Sequence, residues 1–153
     1  MISSLELSHI ALGLVGFAAI STPIAPQFTF SSAIAQTQDG ETLASGQFRD
    51  ADRSHRGSGV ARIMRQANGD MIVQLENFSV TDGPDLRVWI TDAPEVRNAR
   101  AARRANHVDL GRLQNSNGNQ SYTIPANALG GNHRSIVIWC RAFGVLFASA
   151  PLN

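Results

Sequence analysis

Lysine is absent from this chain: all thirteen of its basic side chains are arginine. The bias fits genomic composition better than function, because arginine tolerates most surface positions. Against twelve acids it leaves a formal net charge of +1, too mild a balance to imply nucleic acid as a partner. Cysteine is almost as scarce, with Cys140 alone. One thiol excludes an intramolecular disulfide cycle and an ordinary four-cysteine iron–sulfur site. The sequence also has no Gly-x-Ser-x-Gly elbow, phosphate-binding glycine loop, HExxH or CxxC. Long apolar runs are missing too. Ile10 to Ile20 is too short to span a bilayer, and Ile136 to Ala150 is short and interrupted by Arg141 and Gly144.

The first of those runs reads instead as an export signal. Ser/Thr/Pro-rich sequence follows it, then the small-x-small pattern Ala33-Ile34-Ala35 ahead of Gln36. Glu6 and His9 precede the run where a signal normally carries Arg or Lys, so an uncleaved anchor is the competing reading. Residues 1–35 are expected to be a signal peptide, 36–42 a polar linker, and 43–153 the folded domain of an exported protein, periplasmic or extracellular. Removal of 1–35 leaves 118 residues with thirteen arginines against eleven acids, a formal charge of +2. That is one domain, long enough for a single core without disulfides.

What remains is a series of short alternating segments divided by turn signals. Met71, Val73 and Leu75 share one face of a strand opposite Gln74 and Glu76. Asn68-Gly69 just before it is a hairpin turn, with Gly59 to Arg65 as the partner strand. Gly83-Pro84 opens a strand in which Leu86, Val88 and Ile90 alternate with Arg87, Trp89 and Thr91. Val108–Leu113 and Gln120–Ile124 are two more, bridged by Asn115-Ser116-Asn117-Gly118, and Ile136–Cys140 with Val145–Ala150 form a last hairpin across Arg141–Gly144. Six or seven strands at this spacing predict an all-β, single-domain antiparallel β-sandwich, with a β-barrel as the alternative. Pro94 to Ala105 stands apart. It carries helix formers and no glycine, and predicts a short helix around 94–105 with Arg97, Arg100 and Arg104 on one face. That basic face is expected to be a solvated crossover; a dock for an anionic membrane or acidic partner is the sharper reading.

Candidate chemistry is sparse. His55, His107 and His133 lie beside turns or strand ends, and no second ligand stands at metal-type spacing. Asp82 and Asp85 flank Gly83-Pro84, where aspartates cap turns more often than they bind calcium. Cys140 is the main anomaly. Exported proteins normally use cysteines in pairs, so a leftover one is inert and buried, paired with another chain, or kept as a reactive or metal-binding group. Period-2 reading places it with Ile136 and Ile138, while Val137 and Trp139 face the other way. Both faces are apolar, as in a strand covered on both sides, which favours an inert thiol. Against this, Cys140 ends its strand beside Arg141, whose charge would favour thiolate. A disulfide-linked dimer requires an exposed thiol, so a monomer is expected.

One ordered set of residues carries a resemblance. It runs Gly46-Gln47-Phe48, His55 with Gly57-Ser58-Gly59, Phe78, Gly83-Pro84-Asp85-Leu86 and Leu110-Gly111-Arg112-Leu113. It continues through Gly118–Tyr122 and Ile124-Pro125 to Trp139-Cys140-Arg141-Ala142-Phe143 and Phe147–Ala150. Over about residues 43–152 this resembles the DM-thirteen, or electron-transfer DM, domain family, in the form of a stand-alone secreted bacterial-type member. In larger relatives the domain accompanies DOMON and b-type cytochrome modules of extracellular redox proteins. The resemblance implies a β-rich domain whose cysteine, here Cys140, acts in electron transfer as a bare thiol or as the thiolate ligand of a prosthetic group.

Haem ligation needs a large apolar pocket, which a domain of this size has little volume to supply. Copper held by Cys140 and His55 is chemically reasonable for one-electron transfer, with Met64 or Met71 as a weak axial ligand. His55 is the histidine that matches the family pattern. The expectation is therefore a secreted redox domain centred on Cys140, supported by Trp139 and Arg141, with haem, copper or no cofactor and a redox protein as partner. The alternative is a non-catalytic extracellular interaction module with a buried structural cysteine, presenting Trp89 and the arginine face.

Overall fold

Alternation of apolar and polar side chains resolves into nine antiparallel strands in a computed structural model that describes residues 40–153. The expected signal peptide and the first four linker residues lie outside the described residues. The strands are β1 (Gly40–Gln47), β2 (Arg49–Asp50), β3 (Gly57–Gln66), β4 (Met71–Val80), β5 (Leu86–Thr91), β6 (His107–Arg112), β7 (Asn117–Ile124), β8 (Ser135–Cys140) and β9 (Val145–Pro151). One helix, α1 (Ala99–Arg104), and a 3₁₀ turn (Ala128–Gly131) complete the order. Strand β1 begins inside the segment read as linker, so Gly40 to Thr42 already pair with β3.

Two sheets face each other, ordered β1-β3-β4-β7 and β2-β9-β8-β5-β6. Neither closes on itself, so the fold is the sandwich and not the barrel. Phe48 marks where the chain changes sheets between β1 and β2, its N–H bonded to Gly59 O at 2.9 Å and its ring buried. Another change of sheet follows β6: residues 113–116 carry the chain from one sheet to the other, and β6 and β7 do not pair. A buried polar group holds that crossing. Tyr122 donates to Gln120 Oε1 at 2.6 Å, which also accepts the N–H groups of Gln114 and Asn115.

The inter-sheet core gathers Ile63, Val73, Leu75 and Phe78 from one sheet with Val88, Ile90, Ile136, Ile138 and Cys140 from the other. Burying side chains of this size contributes roughly 1.5–3 kcal/mol each. A second, smaller cluster covers the outer face of the five-stranded sheet: Trp89, Val137, Trp139 and Leu146 beneath Val96 and Ala102. All six residues of β8 are therefore buried, as apolar sequence on both faces predicted.

The helix is shorter than expected, and its start has a physical reason. Asn98 caps α1 by accepting Ala101 N–H at 2.9 Å. Upstream, the carbonyls of Ala93 and Val96 are taken by the hydroxyls of Ser135 (2.8 Å) and Ser149 (2.6 Å) on the sheet below. These anchors hold residues 93–96 against the outer face instead of in a helical turn. Arg97 consequently lies before α1 and pairs with Glu95, so the expected Arg97/Arg100/Arg104 helical face does not form.

Candidate functional site

Strand β8 ends at Cys140, and its neighbours there are set by register. Cys140 pairs with Leu86 of β5 on one side and Val145 of β9 on the other. A bulge in β9 then changes what faces the core. Trp139 pairs with Leu146 but Ile138 with Ala148, leaving Phe147 as an extra residue. Two consecutive side chains, Phe147 and Ala148, thus both enter the inter-sheet core while Leu146 turns to the outer cluster.

Small residues make room for this inward pair. A β-carbon on Gly83 would lie 2.7 Å from Leu86 Cδ2 and 3.0 Å from the Phe147 ring. One on Gly57 would lie 2.3 Å from Ala148 Cβ. Gly59 has φ +102 at a β3 bulge, and a β-carbon there would meet backbone of Glu76, Asn77 and Phe78 within 2.8 Å. His55 closes the same end: its ring lies 4.3 Å from that of Phe147, centroid to centroid. Asp52 orients it, its Oδ2 accepting from Nδ1 at 2.8 Å and its Oδ1 taking the His55 and Ser54 backbone N–H groups. The hydrogen bond from His55 holds the Asp52 carboxyl below the usual carboxylate range.

Residues far apart in sequence, His55, Gly57, Gly83, Leu86, Cys140, Phe147 and Ala148, therefore converge at one end of the sandwich. Over residues 47–152 the sequence matches the family described as electron transfer DM13. The chain belongs to the DM13 family. No curated protein and no solved structure matches it.

In this DM13 domain the surroundings of Cys140 differ in one respect from the electrostatics expected of them. Arg141 turns away from the thiol. Its Nε donates to Asp85 Oδ2 at 2.7 Å and its backbone N–H to Asp85 O at 2.9 Å, so its charge is committed to a carboxylate. Asp82 is likewise used by Ser116. Cys140 has no exposed surface, and its thiol has no hydrogen-bond partner among the described residues.

Haem or copper does not fit these residues. Both faces of β8 are filled by side chains, leaving no space beside the sulfur for a porphyrin. Among the described residues no three His, Cys, Asp or Glu side chains gather as a metal would require. His55 packs on Phe147 and directs Nδ1 to Asp52. Met64 pairs with Ile72 in the opposite sheet, outside the core cluster that holds Cys140, and Met71 packs at that cluster's edge.

The outer side of the same strand holds an arrangement that alternation alone did not reveal. The rings of Trp89 and Trp139 stack at 4.8 Å and 23°, and His107 stacks on Trp89 at 3.9 Å and 15°. The Arg103 guanidinium lies over Trp139 at 5.5 Å and also donates to Gly144 O. The column crosses β6, β5 and β8 diagonally. Only pairing register discloses it, since 89, 107 and 139 have no common period. Beside it the β8–β9 turn presents Phe143, 70 % exposed.

Proposed function

We propose that this DM13 domain is an exported one-electron carrier in which Cys140 acts as a bare thiol, exchanging electrons with a redox protein. The observation that carries the reading is that Cys140 ends β8 beside Leu86, in the same buried core as Phe147 and Ala148, for which Gly57 and Gly83 make room. A lone thiol that neither pairs with another thiol nor takes up oxygen is left single-electron chemistry. The sulfur gives one electron to an acceptor on the partner and its proton to water, leaving a thiyl radical that the reverse transfer restores. The Arg141–Gly144 turn is the element whose opening uncovers the sulfur, because Arg141, Ala142 and Phe143 are already exposed. No helix among the described residues is long and apolar enough to cross a membrane.

Protein-film voltammetry of the purified domain and of Cys140→Ser tests this. A one-electron response present in the parent and absent from the variant supports the thiol carrier. Equal responses, or none from either, reject it. The full burial of Cys140 favours the second reading, a non-catalytic interaction module with a structural cysteine, in which case partner binding survives the serine substitution.

A further inference from the structure

The outer aromatic column has properties that packing alone does not call for. Its two indoles overlap closely enough for their π systems to share charge. It runs from an exposed cation, Arg103, to an exposed ring, His107, so its two ends differ electrically and both reach solvent. Trp89 Nε1 is buried and has no hydrogen-bond acceptor among the described residues. The register partner of Trp89 is Asp109, whose carboxylate takes Arg87 at 3.1 Å.

We propose that Trp139 and Trp89 form a one-electron relay across the outer face of the five-stranded sheet, from the Arg103–Phe143 end to the His107 end. The proposal rests on the electron-transfer reading but does not require the thiol. A high-potential one-electron oxidant at His107 takes an electron from Trp89, leaving an indole radical cation. Trp139 passes an electron to Trp89, and a one-electron reductant at the turn refills Trp139. The reductant loses one electron and the oxidant gains one; no bond forms or breaks.

Two features keep the hole mobile and set where it rests. An oxidised indole normally loses its N–H proton and becomes trapped as the neutral radical; with no acceptor at Nε1, Trp89 keeps its proton and the hole stays mobile. The guanidinium over Trp139 disfavours positive charge there relative to Trp89, because a cation near a ring face is stabilised by the ring's electrons and opposes their removal. The hole therefore rests on Trp89, at the His107 end, until the reductant at the turn fills Trp139. Trp139 is bonded through a single peptide unit to Cys140, which places the relay beside the thiol while leaving the two on opposite faces of β8.

Flash oxidation by a photoexcited ruthenium polypyridyl with a sacrificial cobalt(III) quencher, followed by transient absorption, tests the relay. Ascorbate serves as the reductant. The intact domain and Cys140→Ser are expected to give a protonated indole radical cation with the near-infrared charge-resonance band of two stacked rings. Trp89→Phe and Trp139→Phe are expected to lose that band at least several-fold while circular dichroism shows the β fold retained. Absence of the band in the intact domain, or prompt formation of the neutral radical there, overturns the relay whether or not the variants fold. Loss of the signal in Cys140→Ser also overturns it, since the charge then travels through the thiol. Voltammetry separates the two readings: failure of the thiol couple with the band intact rejects Cys140 and keeps the column.

Discussion

Gly57 and Ala148 approach so closely across the sandwich that a methyl group on the glycine would stand 2.3 Å from the alanine Cβ. The contact lets Phe147 and Ala148 enter the core side by side. Gly57→Ala is expected to destabilise the domain by about 2–3 kcal/mol through overpacking. Adding Ala148→Gly should recover about 1–2 kcal/mol of that, because the two positions share one space. Denaturant unfolding of both single variants and the double variant measures the coupling; strictly additive losses would show that the clash is relieved elsewhere.

Cys140 fills a dry position without a hydrogen-bond partner, so its substitutions should rank by polarity and not by size alone. Cys140→Ser keeps the volume but buries an unsatisfied hydroxyl, costing about 1–3 kcal/mol. Cys140→Ala leaves only a small void and should cost less. An aromatic disulfide reagent should label the parent protein slowly, at a rate limited by opening of the Arg141–Gly144 turn. Rapid labelling of the folded protein would place the sulfur within reach of solvent and contradict its burial.

The ion pair between Arg141 and Asp85 is a structural fastening, not a means of activating the thiol. With Arg141 64 % exposed and Asp85 18 %, Asp85→Asn should lower stability by about 0–1 kcal/mol. Arg141→Gln should not lower the thiol's reactivity in the folded protein, since the guanidinium is not what activates it. A clear fall in that reactivity would mean that the guanidinium reaches the sulfur after all.

Tyr122 is the chain's single tyrosine, so its ionisation can be followed by absorbance without assignment. Burial pushes its phenol above the ordinary value of 10.0, an effect partly offset by the Gln114 N–H. The sign follows: the folded state prefers the neutral phenol, so this contribution to stability is complete below the unfolded value and is lost as pH rises through the folded one. Tyrosinate should therefore appear late and together with unfolding. Tyr122→Phe should flatten the alkaline decline in stability, at a cost of about 1 kcal/mol for the lost hydrogen bonds. A reversible titration at the ordinary value with the fold intact would contradict this.

Much of the architecture was legible because alternation reports which face a residue takes. Ser135 to Cys140, apolar on both sides, announced a strand covered on both faces, and Asn68-Gly69 announced the β3–β4 hairpin. In that turn only Gly69 needs a left-handed backbone. Periodicity does not name partners, however. The pairing of β5 with β8, the separation of β6 from β7 and the Trp89–Trp139 stack all depend on register between distant segments.

Period also fails at bulges. In β9 strict alternation separates Phe147 from Ala148, whereas the inserted residue puts both inside. Arg97 and Arg141 were misplaced for a related reason: neighbours in sequence seemed to decide their roles, while Glu95 and Asp85 hold their charges. At the site, Cys140 and His55 stood out from composition and motif. The glycines that shape the core around them acquired a reason only from the contacts their missing side chains allow.

Trp139 and Cys140 are adjacent in the chain yet packed into separate clusters, one under α1 and one between the sheets. Selection on each therefore acts through different neighbours. Among diverging relatives, drift at the tryptophan position should be compensated at those of Trp89, Ala102 and Arg103. Drift at the cysteine should be compensated at those of Leu86 and Phe147. Two consecutive letters of the sequence would then evolve almost independently, divided by the thickness of a single strand.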